Sequence, residues 1–103
     1  MSDNRRSTRH FVSIPAKVTY DGTSVDANIT NLSLGGAQMA STGQHSMGQR
    51  VNVAFTVLIY AIEVGATVRW SDDSGVGLQF DGMRARDVWA LNEFFKKQQQ
   101  QRR

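Results

Sequence analysis

The chain is 103 residues long, 40% hydrophobic and 20% charged, with a formal net charge of +3 and no cysteine. Such a length and composition specify one globular domain and exclude a disordered chain, a second large core and a membrane-spanning bundle. The missing cysteines exclude disulfides and thiolate metal clusters, so a reducing compartment, the cytoplasm, is the expected location.

The first ten residues read as a flexible basic arm. Arg5, Arg6 and Arg9 stand in a stretch with no hydrophobic period, and no apolar segment of signal-peptide or membrane-span length follows. Residues 11–97 then read as one folded unit. In "VSIPAKVTY" the period is two, with Val12, Ile14, Ala16, Val18 and Tyr20 on one face and Lys17 and Thr19 on the other. Pro15 has no N–H to give to a ladder, so it belongs at an edge or a bulge. "DGTS" is a turn signal through Asp21 and Gly22. "VDANITNL" sets Val25, Ala27 and Ile29 against Asp26, Asn28 and Thr30, and "GAQMAS" makes a short third strand. "RVNVAFTV" turns Val51, Val53, Phe55 and Val57 to one side. "IEVGATVRW" does the same with Ile62, Val64, Ala66, Val68 and Trp70, and "GVGLQF" adds Val76, Leu78 and Phe80. Six short strands separated by turns predict an all-β fold, a small six-stranded antiparallel barrel that leaves no long edge exposed.

Between the fourth and fifth strands, "TVLIYAIEV" contains no turn-forming residue. Leu58, Ile59 and Tyr60 are therefore either an exposed apolar turn suited to an interaction or, the plainer expectation, residues packed under the last element. That element changes period. Val88, Leu91 and Phe95 in "MRARDVWALNEFFKK" predict one C-terminal amphipathic helix, with Trp89 and Phe94 beside the stripe and Lys96 and Lys97 in the final turn. Residues 98–103 read as a disordered polar tail.

Catalysis finds little to work with. His10 and His45 are the only histidines, and Asp72 and Asp73 form the only adjacent acidic pair, in a turn signal, so neither a nucleophile with its base nor a metal-ligand set is visible. No glycine run has phosphate-loop spacing. One pattern stands out instead. Arg5 and Arg9 are spaced RxxxR, and one strand later Asn31, Ser33 and Gly36 in "NLSLGG" are spaced NxSxxG.

With both motifs in this order, followed by "VRWSDDSGVGLQF" and a helix, the chain resembles the PilZ family of bacterial receptors for cyclic di-GMP. The resemblance covers nearly the whole chain. It implies a six-stranded split barrel with a C-terminal helix, no catalysis, no metal and no cofactor, and a ligand held between the arm and the barrel. Carried over by position, it implies ligand contacts from Arg5, Arg9, Asn31, Ser33 and Gly36, with Arg6, His10, Gly35 and Trp70 as candidates for additional contacts. The chemistry of these residues suits that ligand. A guanidinium can stack on a guanine, fork onto its O6 and N7, or neutralise a phosphate. Asn31 and Ser33 can bond to a guanine edge, with Gly36 giving clearance. A few charge-assisted contacts of about 1.5–3 kcal/mol each would offset the ordering of the arm, giving an expected micromolar affinity.

A domain of this kind without an output module acts by presenting a surface to a downstream protein partner. Two other readings compete: a PilZ-like interaction module that no longer binds nucleotide, and a nucleic-acid binder using the same arm. The last is disfavoured, because Lys17, Arg50 and Arg69 are isolated and no aromatic platform is interleaved with them.

Overall fold

The structure, a computed structural model, describes residues 9–41 and 45–101. Six strands and one helix follow in order: β1 (His10–Tyr20), β2 (Thr23–Leu32), β3 (Gly36–Ser41), β4 (Arg50–Val57), β5 (Tyr60–Asp72), β6 (Gly75–Phe80) and α1 (Ala85–Gln101). Every pairing is antiparallel, and the order β1-β2-β3-β6-β5-β4 closes on itself as a barrel.

Alternation fills the interior. Ile14, Ala16 and Val18 of β1, Val51, Val53, Phe55 and Val57 of β4, and Ile62, Val64, Ala66 and Val68 of β5 all point inward and are buried. The seam between β1 and β4 is short, pairing only Ala16–Thr19 with Asn52–Phe55. Pro15 stands one residue beyond the end of that ladder, where its missing N–H interrupts no β1–β4 bond.

Helix α1 joins the same core through Ala90, Leu91 and Phe95. The His10 ring stacks on Phe95 with centroids 4.0 Å apart, and Tyr60 meets Trp89 edge-on at 5.3 Å. Asp87, in the first helical turn, is only 1% exposed. Arg84 neutralises it, donating from Nε at 3.1 Å, and the helix dipole favours a carboxylate at that end. The backbone stays helical through Gln101, so Lys96 and Lys97 lie one turn before the end rather than in the final turn. The polar segment that the sequence assigns to a tail from residue 98 continues the helix backbone through residue 101.

Two hairpin tips differ in chemistry. At β1–β2, Asp21 and Gly22 both adopt positive φ (48° and 76°) between the paired Tyr20 and Thr23, the backbone that an Asp-Gly turn favours. At β4–β5, Val57 pairs with Tyr60, so Leu58 and Ile59 form the turn themselves, Leu58 with φ 56°. Leu58 and Ile59 are 43% and 84% exposed. The structure thus decides against packing of these two residues under the helix; Tyr60 alone of the three turns back onto α1.

Candidate ligand-binding cleft

The site is built by strand irregularity. In β2 the register against β3 shifts between Ile29 and Asn31, and in β5 the register against β6 shifts between Val68 and Trp70. Each shift is a bulge, and a bulge rotates the side chains that follow it. Strict alternation puts Trp70 on the inner face with Val68. The bulge instead sets Trp70 opposite Gly77, whose neighbours Val76 and Leu78 point inward, so the indole lies on the outer surface. The same device pairs Asn31 with Gln38 on the outer face and returns Leu32 to the core, where it is fully buried.

The registers then align one row across five strands: Phe11, Asn31, Gln38, Gly77 and Trp70. Gly77 is what lets the indole lie down. A Cβ at Gly77 would stand 2.1 Å from the Trp70 Nε1, so the ring covers the glycine. Over this row opens a cleft of about 340 Å³ lined by Arg9, Asn31, Ser33, Gly35, Gly36, Ala37, Gln38, Arg69, Trp70, Gly77, Leu78 and Gln79. None of these residues is acidic, and neither Arg9 nor Arg69 has an ion-pair partner among the described residues. The cleft is therefore an electropositive recess whose lining includes one indole and the carboxamides of Asn31, Gln38 and Gln79.

Of the residues singled out by sequence, Arg9, Asn31, Ser33, Gly35, Gly36 and Trp70 meet here. Arg5 and Arg6 lie outside the described residues. His10 does not line the cleft; its ring points the other way, onto Phe95. Two of the motif residues also hold the backbone around the cleft. The Ser33 hydroxyl accepts from the N–H groups of Gly35 and Gly36, both at 3.2 Å, and sits 3.3 Å from the Gly36 carbonyl, so it ties the "SLGG" turn. A Cβ on Gly36 would stand 2.1 Å from the Leu78 carbonyl oxygen. Gly36 is thus required by the approach of β6, a stronger demand than ligand clearance. The Asn31 carboxamide has no hydrogen-bond partner among the described residues, although the residue is only 7% exposed.

Sequence reasoning missed Arg69, Gln38 and Gln79. In the sequence Arg69 is an isolated strand cation; only the bulge brings it and Trp70 to one recess. A larger depression of about 570 Å³ lies over β1, β4 and β5, but its cations are taken, Lys17 by Asp26 and Arg84 by Asp87. Asp72 and Asp73 play no part in either. The Asp72 carboxylate accepts from the Ser74 hydroxyl (2.6 Å) and N–H (2.8 Å), which holds its pKa below the usual carboxylate value and closes the β5–β6 turn.

The chain folds as a closed six-stranded barrel with a C-terminal helix and carries a recess with two arginines on its outer face. The chain belongs to the PilZ domain family, whose pattern matches residues 3–97. PilZ domains are, as a family, non-enzymatic receptors of cyclic di-GMP. Among solved structures, the inhibitor of motility MotI/DgrA of Bacillus subtilis is similar with a TM-score of 0.79, at 18% identity, over 99% of this chain and 55% of that one. The chain therefore spans about half the length of that protein, and at this identity the likeness is one of fold. No curated protein sequence matches the chain.

Proposed function

We propose that this domain binds cyclic di-GMP in the Arg9–Trp70 cleft and acts as a cytoplasmic, non-enzymatic adaptor that passes the signal to a protein partner. The observation that carries this reading is the company the motif residues keep. Arg9 and Asn31 share one recess with Arg69 and Trp70, and among the described residues no carboxylate lines it. A dianionic ligand with two planar bases needs cations for its phosphates, a π-surface for a base and amide groups for a base edge. Arg9, with Arg5 from the preceding arm, clamps guanine and phosphate. Arg69 adds a second cation, Trp70 stacks on a base, and Asn31 and Gln38 read its edge. Ser33 and Gly36 serve by holding the turn and the β3–β6 approach that shape the recess.

Calorimetric titration of cyclic di-GMP into the domain tests this, with GMP as control ligand. Saturable micromolar binding that falls at least about tenfold with Arg9→Ala, the effect expected of one charge-assisted hydrogen bond, supports the reading. An absence of heat at high ligand concentration overturns it and leaves the barrel as a protein-interaction module.

A further inference from the structure

We infer that the β4–β5 tip and the exposed face of α1 form the contact surface of a homodimer, built independently of nucleotide binding. Ile59 is 84% exposed, Trp89 52% and Leu58 43%, and Tyr60, the residue after Ile59, brings the tip beside α1, its ring meeting the Trp89 indole edge-on. The patch is pre-organised, because β4 and β5 pair without interruption from Arg50–Thr67 to Val57–Tyr60, directly beneath the tip.

Fold stability does not ask for these residues. Leu58 holds a left-handed backbone at φ 56°, where a branched apolar side chain is strained and Gly or Asn is favoured. At the first position of its β1–β2 tip the same barrel places Asp21, a residue type more tolerant of that backbone region. Strain retained under an exposed apolar side chain points to something that covers it.

The charges around Trp89 say what covers it. Arg86 precedes it by three residues and Glu93 follows by four, so all three lie on one helical face with opposite charges on either side of the indole. A surface of that pattern is complementary to itself. When two copies of α1 pack antiparallel about a two-fold axis at Trp89, Arg86 of each copy stands opposite Glu93 of the other, and the Ile59 tips bury against the indoles. Glu93 pairs with Lys96 at 3.1 Å within one chain, and because that lysine is exposed the pair holds Glu93 weakly and can be exchanged for a partner across an interface. Arg86 has no ion-pair partner among the described residues. An apolar centre with a charged rim is interface anatomy, and the modest size of the centre places the dimer among weak ones.

Sedimentation velocity of the full chain over a concentration series up to about 300 µM tests the inference, with a dissociation constant of about 10–100 µM expected. Ile59→Asp, at a solvent-exposed tip, raises that constant at least about tenfold while far-UV circular dichroism is unchanged. Arg86→Glu weakens association by about fivefold, and the double reversal Arg86→Glu with Glu93→Arg restores it. A monomer at every concentration overturns the dimer and leaves the patch to a different chain. Association indifferent to Ile59→Asp overturns the surface, and failure of the double reversal overturns the antiparallel arrangement.

Discussion

The two exposed regions of interest are built by opposite means. Around the cleft, the ladders of β2 and β5 are each broken by a bulge, and the breaks turn Asn31 and Trp70 outward to meet Arg9 and Arg69. At the far tip, β4 and β5 pair without a break, and regularity carries Leu58 and Ile59 into solvent. A binding recess needs side chains from neighbouring positions on one face, which a regular pleat cannot deliver. A protruding surface needs stiffness, which a regular ladder supplies. The cleft accordingly uses glycine for close approach, at Gly36 and Gly77, while the tip has none and accepts strain at Leu58.

That contrast can be broken most forcefully at Gly36. Gly36→Ala drives a methyl group into the Leu78 carbonyl, so β3 and β6 must part; we expect a destabilisation of about 3 kcal/mol, read as a Tm lower by roughly 10 °C or more, with ligand binding abolished alongside. Next comes Trp70→Ala, which leaves the core intact because the indole lies outside it. The fold keeps its Tm within a few degrees while cyclic di-GMP affinity falls about tenfold, the value of one base–aromatic stack, as read by titration. A large fall in Tm would instead make Trp70 a structural cover for Gly77. The tip responds with a smaller effect. Leu58→Gly relieves a left-handed penalty of about 1 kcal/mol, which offsets the partial burial that the leucine side chain gives up, so Tm stays within about 2 °C and affinity for the ligand is untouched.

The smallest effect separates both regions from the loop before β4. His45 is buried, bonded through Nε2 to Ser41 Oγ at 2.9 Å and edge-on to Tyr20, with Nδ1 lacking a partner among the described residues. Burial lowers its pKa below 6.5, so the folded state holds the neutral ring. The unfolded chain then binds the extra proton, and stability follows accordingly: it is fully present above pH 6.5 and is lost as the pH falls from there through the lowered folded value. Thermal melts through that window should show a slope that His45→Gln removes, with no change at neutral pH in ligand affinity.

Much of this is legible in the sequence. Period-two runs separated by turns specify six strands, and the change to helical spacing at Val88, Leu91 and Phe95 specifies the closing helix, because burial of one face is a local, repeating demand. The RxxxR and NxSxxG spacings single out Arg9, Asn31, Ser33 and Gly36, and the structure gathers those four around one recess. What alternation cannot carry is any position past a bulge, since one extra residue reverses every face that follows. Alternation therefore turns Trp70 inward and leaves Arg69 isolated, and the β5 bulge reverses both. Helical spacing does not foresee the burial of Asp87, because the Arg84 partner that makes this tolerable comes from the residue before the helix.

Composition and periodicity thus determined the barrel and its order of elements, since each follows from local burial and turn chemistry, while the motif residues were marked by their spacing and by the resemblance to the PilZ family. Only the tertiary structure decided which side chains face one another. The register shifts at Asn31 and Trp70, the close approach of Gly36 to β6 and the exposure of the Leu58–Ile59 tip arise where two strands must agree on a pairing. That agreement is a property of strand pairs, so no single stretch of sequence can express it.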